Sequence, residues 1–326
     1  MDQAFILPLP QSARPPELGD AYQEVHKTAA FRLLLLALEK LKAGKMSWEK
    51  FFQTFSPLDP ALRIATTREG DTILHLAVLS DISEMPPALL EDRTLMLRRN
   101  QYGLTPLEMS LFLRKNKRLP SPFGQEEVPF RTRPGVVVES PEELSLSFLS
   151  YPIFENAQIF SKVLSSSFRA KQKDRIPPEK TWMGIYFDKE IQQGMHPQVA
   201  IRFIDKEVGF GVFAMQRIPP CSYVGEYTGM IQEKKSKHLV DKRYCVRYTV
   251  WEMGRKNFVI DAEKMGNFTR FINHSANPNL SLQSVYWRGM PRMIFMALKE
   301  IEEGTQFTFD YGTFFWETCQ QTPKLF

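Results

Sequence analysis

The sequence predicts an α+β protein in which an all-helical N-terminal region precedes a β-rich region of short strands. Three observations support this prediction. Apolar residues recur at helical spacing between residues 22 and 41, a short pattern repeats after 33 positions, and short alternating segments follow from about Val199. A chain of 326 residues is long enough for two domains with a sizeable core.

The composition indicates a globular protein of a reducing, intracellular compartment. Hydrophobic residues make up 43% of the chain, and its three cysteines form no C-x-x-C pair that would suggest a disulfide framework or a zinc site. The net charge of +5 is not concentrated in one patch, so direct nucleic-acid binding is not expected. The longest apolar run, Leu33–Leu38, is far shorter than the roughly 20 residues that cross a bilayer, so no membrane association is expected.

The N-terminal region is predicted to begin with a flexible leader and two helices. Residues 1–18 contain four prolines and form the leader. A second, shorter helix, Trp48–Phe55, follows the first. The first helix is predicted over Tyr22–Leu41, because apolar residues recur there at helical spacing, namely at Val25, Ala29, Leu33, Leu36 and Leu41.

An internal repeat follows these helices. The segment Glu69–Ala77 (EGDTILHLA) recurs as Tyr102–Ser110 (YGLTPLEMS), with a glycine for the turn and a threonine to cap the helix in each copy. The period of 33 resembles that of the ankyrin repeat, which implies that residues 19–125 are a helical region with two ankyrin-like repeats. His75 stands where such repeats carry a structural histidine, so a structural role is expected for it.

The rest of the chain is predicted to contain a scaffold and then many short strands. Residues 126–196 are rich in Phe, Leu and Ile, which favours a packed scaffold over a bare linker, with helices over Glu142–Phe148 and Ile153–Phe168. Turn residues separate the later segments. The predicted strands are Ala200–Ile204, Ser222–Tyr227, Tyr244–Trp251, Asn257–Asp261, Met293–Ala297 and Gln306–Tyr311.

Three motifs in this β-rich region are not periodic core patterns. They are Gly209–Ala214 (GFGVFA), Gly266–Ser275 (GNFTRFINHS) closed by the Asn-Pro-Asn of residues 277–279, and Ile301–Gly312 (IEEGTQFTFDYG). Together, and in this order, they resemble the motifs of the SET-domain protein-lysine methyltransferases. The resemblance implies a pre-SET linker or scaffold over 126–196, a β-rich SET domain over 197–312 and a post-SET segment without zinc over 313–326.

The resemblance implies the residues that receive the lysine. Tyr311 of the Asp-Tyr-Gly motif would carry its hydroxyl to the reacting centre. Tyr244 would line the lysine channel, with Tyr248 as the alternative in another strand register. Phe309 lies two residues before Tyr311 and hence on the same face of a strand, at the position that in the family controls how many methyl groups fit.

The resemblance also implies the donor, S-adenosyl-L-methionine. Gly209 and Gly211 would let the backbone approach it closely, and the Asn-His pair would bind its adenine and amino-acid parts. No metal is implied, and in particular no zinc. The implied cofactor-binding residues are Gly209, Phe210, Gly211, Arg270, Phe271, Asn273, His274, Tyr311 and Trp316.

Two positions depart from the family pattern. Ala276 stands where many relatives have the cysteine of a zinc cluster, which agrees with the lack of other zinc ligands. Gln306 stands where relatives usually have Glu, and it keeps the acceptor oxygen but loses the charge. Neither position belongs to the groups implied to react.

Two function classes remain open at this point. The first is a protein-lysine N-methyltransferase, with a protein substrate that exposes a lysine, histone tails as one candidate, and di- or trimethyl-lysine as the product. The second is a non-catalytic interaction protein with a SET fold. In either case the ankyrin-like region could bind a partner protein. A zinc-free SET domain with such repeats also fits a bacterial effector, so the expected location is the cytoplasm or nucleus, of its own cell or of a host.

Overall fold

Helices form the N-terminal region of the computed structural model, which describes residues 28–80, 82, 85–113, 135–139, 147–233, 244–251, 258–313 and 315. The leader 1–18, the start of the predicted first helix and Trp316 lie outside the described residues. The described helices of this region are α1 (Ala29–Lys42), α2 (Trp48–Thr54), α3 (Ala61–Ile64), α4 (Ile73–Leu79), α5 (Pro87–Leu90), α6 (Arg93–Leu97) and α7 (Pro106–Leu113).

Helix α1 has two apolar faces. One face carries Phe31, Leu34 and Leu38, which are buried against the helices that follow. On the other face Leu33 and Leu36 are 61% and 56% exposed. The predicted helix is therefore confirmed, but the stripe that contains Leu33 and Leu36 is not its core-facing side. The run of four leucines and its neighbours fits more than one helical stripe, and tertiary packing selects between them.

The two copies of the internal repeat form the same turn followed by a helix. The backbone φ is +77° at Gly70 and +83° at Gly103, a region in which glycine is favoured. The buried His75 accepts a hydrogen bond at Nδ1 from the Thr72 backbone N–H (3.1 Å), and its Nε2 donates to the Leu104 carbonyl (2.9 Å). His75 thus joins the cap of α4 in one copy to the turn of the next, which is a structural role.

The scaffold segment differs in detail from its prediction. Its described elements are β1 (Val136–Glu139), β2 (Ser147–Phe148), β3 (Ile153–Phe154), α8 (Ala157–Gln172), α9 (Pro178–Tyr186) and α10 (Asp188–Gln193). The end of the predicted helix 142–148 is strand β2, and residues 140–146 lie outside the described part. The helix predicted from Ile153 begins only at Ala157, because the Asn156 side chain caps it by accepting from the Ile159 backbone N–H (2.9 Å).

Short strands build the β-rich region as predicted. Strands β5, β7 and β12 lie outside the predicted set. The described sheets have the orders β1-β4-β5, β10-β2, β11-β14-β12-β13-β6 and β3-β7-β9-β8. The strands are β4 (Val199–Asp205), β5 (Gly209–Ala214), β6 (Tyr223–Glu226), β7 (Met230–Glu233), β8 (Cys245–Tyr248), β9 (Phe258–Asp261), β10 (Met265–Gly266), β11 (Asn273–His274), β12 (Leu280–Trp287), β13 (Met290–Ala297) and β14 (Thr308–Phe309).

Strand β14 lies between two strands that precede it in the chain. It is parallel to β11 on one side and to β12 on the other, so the 275–279 connection between β11 and β12 crosses it. Asn279 fastens the crossing: its Nδ2 donates to the Gln306 carbonyl (2.8 Å), and its Oδ1 accepts from the Thr308 backbone N–H (2.9 Å). Such a crossing is rare in proteins, and it places the second and third motifs side by side.

The helical repeats pack directly on this five-stranded sheet. Arg288, at the turn between β12 and β13, forms ion pairs with Glu108 of α7 and Asp188 of α10. At Gly289 a Cβ atom would lie 2.8 Å from the Tyr102 carbonyl oxygen, so the turn needs glycine there. Phe112 of α7 belongs to the same buried cluster as the β-sheet core. The repeats therefore support the sheet that holds β14.

Candidate active site

A cavity of about 220 Å³ opens beside the end of β14. Its walls come from β8, from the segment before β11, and from β14 with the residues that follow it. The residues used below that line it are Tyr227, Cys245, Arg247, Arg270, Phe309, Asp310, Tyr311 and Phe315. The structure thus brings Tyr311, Phe309 and Arg270 of the predicted site into one cavity.

Tyr311 is held from two sides. Its hydroxyl donates to the Ile272 carbonyl (3.0 Å), and its backbone N–H donates to His274 Nδ1 (3.2 Å). Its ring packs against Phe309 and Phe315 at centroid separations of 4.8 and 4.6 Å. These contacts fix the phenol in the cavity wall, and the hydroxyl oxygen keeps lone pairs for a further partner.

Phe309 forms the apolar side of the cavity. Its side chain is buried, and its ring meets Phe295 edge to face at 5.0 Å. Phe295 belongs to β13, so the wall rests on the centre of the five-stranded sheet. No polar atom of Phe309 is available to hold a water molecule in this part of the cavity.

Tyr227 is a cavity residue outside the predicted set. It is buried, its hydroxyl donates to the Tyr244 carbonyl (2.8 Å), and burial raises its pKa well above the ordinary value, so the phenol stays protonated. Tyr227 directly follows Glu226, whose carboxylate accepts two hydrogen bonds from the fully buried Arg292. The available sequence signal is weak: a tyrosine that ends a predicted strand.

The structure distinguishes the two tyrosines proposed for the channel. Tyr248 lies in the core, where its hydroxyl donates to the Pro291 carbonyl (2.7 Å). Tyr244 lies behind the cavity wall and stacks under Arg270, whose guanidinium carbon is 3.7 Å from the ring centroid. Arg270, predicted to bind the cofactor, therefore lies between Tyr244 and the cavity.

The first motif meets the second on the other side of β11. The Asn273 side-chain amide donates to the Phe210 carbonyl (3.0 Å), and the rings of Phe210 and Phe271 are 5.7 Å apart. A Cβ atom on Gly211 would lie 2.7 Å from the Ile204 side chain and 3.3 Å from Asn273 Nδ2. Only a backbone without a side chain fits between them.

Gly209, Gln306 and His274 complete this side. Gly209 has a φ of +78° and open space where a Cβ atom would stand. The Gln306 side-chain nitrogen lies 2.8 Å from the Cβ position of Gly211, so this departure from the family pattern borders the glycine motif. His274 is buried, and its Nδ1 lies 3.7 Å from Asp310 Oδ1. The backbone of 209–211 and the Asn273 amide thus form a cradle that adjoins Tyr311 through His274.

Metal ligands do not cluster in the described part of the chain. There, no group of three His, Cys, Asp or Glu side chains could hold an ion. Cys221 and Cys245 are free thiols, and Cys319 lies outside the described residues. The same ranges contain no helix with the length and apolar character needed to cross a membrane.

Comparisons with known proteins agree with this geometry. Residues 209–312 match the family model of the SET domain. Similar proteins include human histone-lysine N-methyltransferase EHMT1 (31% identity over 138 residues, 40% of this chain and 10% of that protein) and Drosophila melanogaster histone-lysine N-methyltransferase ash1 (35% over 115 residues, 34% and 5%). Xenopus tropicalis histone-lysine N-methyltransferase SUV39H2 is 27% identical over 149 residues, 42% of this chain and 37% of that protein.

These matches cover parts of the proteins concerned. The chain spans between 5% and 37% of the length of the three relatives named. A solved structure of a humanized mutant of the Chaetomium thermophilum Polycomb Repressive Complex 2, bound to an inhibitor, is 25% identical over 37% of this chain and 16% of that chain, with a TM-score of 0.31. The segment that carries the candidate site, residues 209–312, is therefore similar to the SET domain found in histone-lysine N-methyltransferases.

Proposed function

We propose that this protein is a protein-lysine N-methyltransferase that uses S-adenosylmethionine. The observation that carries the proposal is the pairing of β11 with β14, Asn273 opposite Thr308 and His274 opposite Phe309. This pairing places the cradle of residues 209–211 and Asn273 next to a cavity that contains Tyr311. A methyl transfer needs such an arrangement, with a donor site and an acceptor site that meet.

The cradle has the chemistry that the donor requires. S-adenosylmethionine supplies a methyl group that is activated by a sulfonium charge. The backbone at Gly209 and Gly211 would bind its amino-acid part, and Asn273 Oδ1 remains as an acceptor because the amide nitrogen already bonds the Phe210 carbonyl. Phe271 and His274 would complete this surface, as would Trp316, which lies outside the described residues.

The cavity has the chemistry that a lysine requires. A free lysine amine has a pKa of about 10.4, so at neutral pH most of it is protonated and unreactive. Phe309, Phe315 and the ring of Tyr311 exclude water, and desolvation favours the neutral amine. The hydroxyl oxygens of Tyr311 and Tyr227 would orient the amine as hydrogen-bond acceptors. Tyr244, behind Arg270, would support this wall.

Phe309 favours more than one transfer to the same lysine. A phenylalanine cannot hold a water molecule beside the amine, so a methyl group already on the nitrogen could occupy that space. We therefore propose dimethyl- or trimethyl-lysine as the product. Histone tails remain the first substrate to test, because the relatives named above are histone-lysine N-methyltransferases.

The proposal is tested by mass spectrometry after incubation with S-adenosylmethionine and purified histones, and then with a cell lysate treated with the same donor. Mass increments of 14, 28 or 42 Da on a lysine, lost in Tyr311→Phe, are expected for one to three methyl groups. A thermal shift with the donor gives an independent measure of donor binding. Donor binding without transfer to any protein would instead favour the non-catalytic interaction protein.

The finer predictions about the rest of the chain are also proposals. We propose that the helices up to α7 are ankyrin-like, since two copies of the turn and helix are joined by His75, and that they contribute to partner recognition. We also propose that the SET segment works without zinc, in the cytoplasm or nucleus. The bacterial effector stays a prediction from the domain combination alone.

A further inference from the structure

Arg270 brings a cation to the acceptor cavity without a carboxylate partner. Its guanidinium stacks on Tyr244 (3.7 Å) and also lies 4.9 Å from the Phe271 ring centroid. One terminal nitrogen donates to the Glu263 backbone carbonyl (3.3 Å), and the buried Nε has no hydrogen-bond acceptor. In the described part of the chain, no carboxylate oxygen forms an ion pair within 4.0 Å of this guanidinium.

The groups that face Arg270 leave most of its charge uncompensated. Tyr244 and Tyr227 are phenols and neutral at ordinary pH. Asp261 and Glu263 are the nearby acids, but the Asp261 carboxylate accepts from Gln232 and from the Glu263 backbone N–H instead (3.0 Å each). Burial lowers the pKa of Arg270, which shows that its environment disfavours the charge. A partly desolvated cation of this kind is costly unless it has a use.

The other ionisable groups of the cavity do not cancel this field. Arg247 has the same sign. Asp310 has the opposite sign, but its side chain is 65% exposed and hence well screened, and it lies near His274. Cys245 is a thiol, neutral in apolar surroundings. The interior of the cavity is thus electropositive next to the hydroxyls of Tyr227 and Tyr311.

We propose that Arg270 lowers the pKa of the acceptor lysine amine and so supplies it in the neutral, reactive form. This inference rests on the proposed methyltransferase function. A fixed cation disfavours a second cation at short distance but does not oppose a neutral amine. The tyrosine oxygens then act as acceptors for the remaining N–H groups of that amine. Arg270 has this role in addition to the desolvation provided by the aromatic walls.

The size of the effect follows from Coulomb's law. A unit charge about 8 Å from the amine, at an effective dielectric constant of about 20, lowers the amine pKa by about 1.5. At a fixed pH below that pKa, the neutral fraction rises about 30-fold. Because Arg270 is already ordered by its stack on Tyr244, the field needs no reorganisation when the lysine enters.

The test is the pH dependence of kcat with saturating donor and lysine peptide, since kcat reports the ionisation of the bound complex. The peptide is one that the unmodified protein methylates. For the unmodified protein the apparent pKa should lie at least 1 below the free-lysine value of about 10.4. Arg270→Gln and Arg270→Met should raise it by about 1.5, and Arg270→Lys by less than 0.5. Arg247→Gln, the same change at an exposed cavity residue, should raise it by less than 0.5.

Donor affinity is measured by calorimetry on the same variants, because Arg270 is also a predicted cofactor-binding residue. Weaker donor binding with an unchanged kcat pKa would assign Arg270 to the donor and overturn the inference. An apparent pKa near 10.4 in the unmodified protein would overturn it too, even if the neutral variants did not fold. If the unmodified protein transfers no methyl group to any lysine, the proposed function fails and this inference fails with it.

Discussion

Removal of the Tyr311 hydroxyl should abolish most methyl transfer with little effect on the fold. In Tyr311→Phe the ring contacts with Phe309 and Phe315 remain, and the hydrogen bond to the Ile272 carbonyl is lost. That loss should lower the free energy of unfolding by about 1 kcal/mol. Loss of an oriented oxygen at the reacting centre should lower kcat about 10²-fold or more, on the order of 3 kcal/mol.

The two magnitudes differ enough to separate catalysis from stability. Tyr248→Phe is the matched control, because it removes one buried tyrosine–carbonyl hydrogen bond, to Pro291, away from the cavity. Initial rates and urea denaturation are measured for both variants. Tyr248→Phe should keep at least a third of the activity. A Tyr311→Phe variant within threefold of the unmodified protein, or a Tyr248→Phe variant that loses as much, would refute the assigned role of Tyr311.

Three further predictions concern product, donor and stability. Phe309→Tyr should shift the products at long times toward monomethyl-lysine, seen by mass spectrometry, because a phenol can anchor a water molecule that resists displacement. Asn273→Ala should weaken donor binding in calorimetry, and unchanged affinity would argue against its role in the cradle. His75 is buried and its pKa is lowered chiefly by burial, so its stabilising effect is complete above the unfolded-state pKa of about 6.5 and is lost as pH falls below it. Urea midpoints at pH 8 and 5 should therefore differ less in His75→Gln than in the unmodified protein.

The residues that carry local chemistry could be predicted from the sequence, and their setting could not. The turn glycines, the cap at Thr72 and the strand ending at Tyr311 follow from local rules. The predicted strand Gln306–Tyr311 is paired as β14 only at Thr308 and Phe309, because its neighbouring backbone groups bond the Asn279 side chain and strand β5 instead. A hydrogen bond between residues so far apart in the sequence leaves no local pattern.

Two other differences have similar causes. Strand β12 has Gln283 and Ser284 in its middle, which weakens the alternation, and it is half covered by α9 through the close contact at Gly184. Tyr227 lines the cavity because Arg292 and Glu226 form an ion pair in the core just before it. That pairing joins residues from strands distant in the chain, so only the folded sheet shows where the tyrosine points.

The crossing of β14 by the 275–279 connection determines when the site can form during synthesis. The β12–β13 hairpin needs only residues 280–297 and can close within microseconds once these have left the ribosome. β14 must then enter between β11 and a strand that is already paired on its other side. A nascent chain can therefore complete most of its sheet while Tyr311 is still untethered. Competence for catalysis should appear in one late step, after most of the secondary structure has formed.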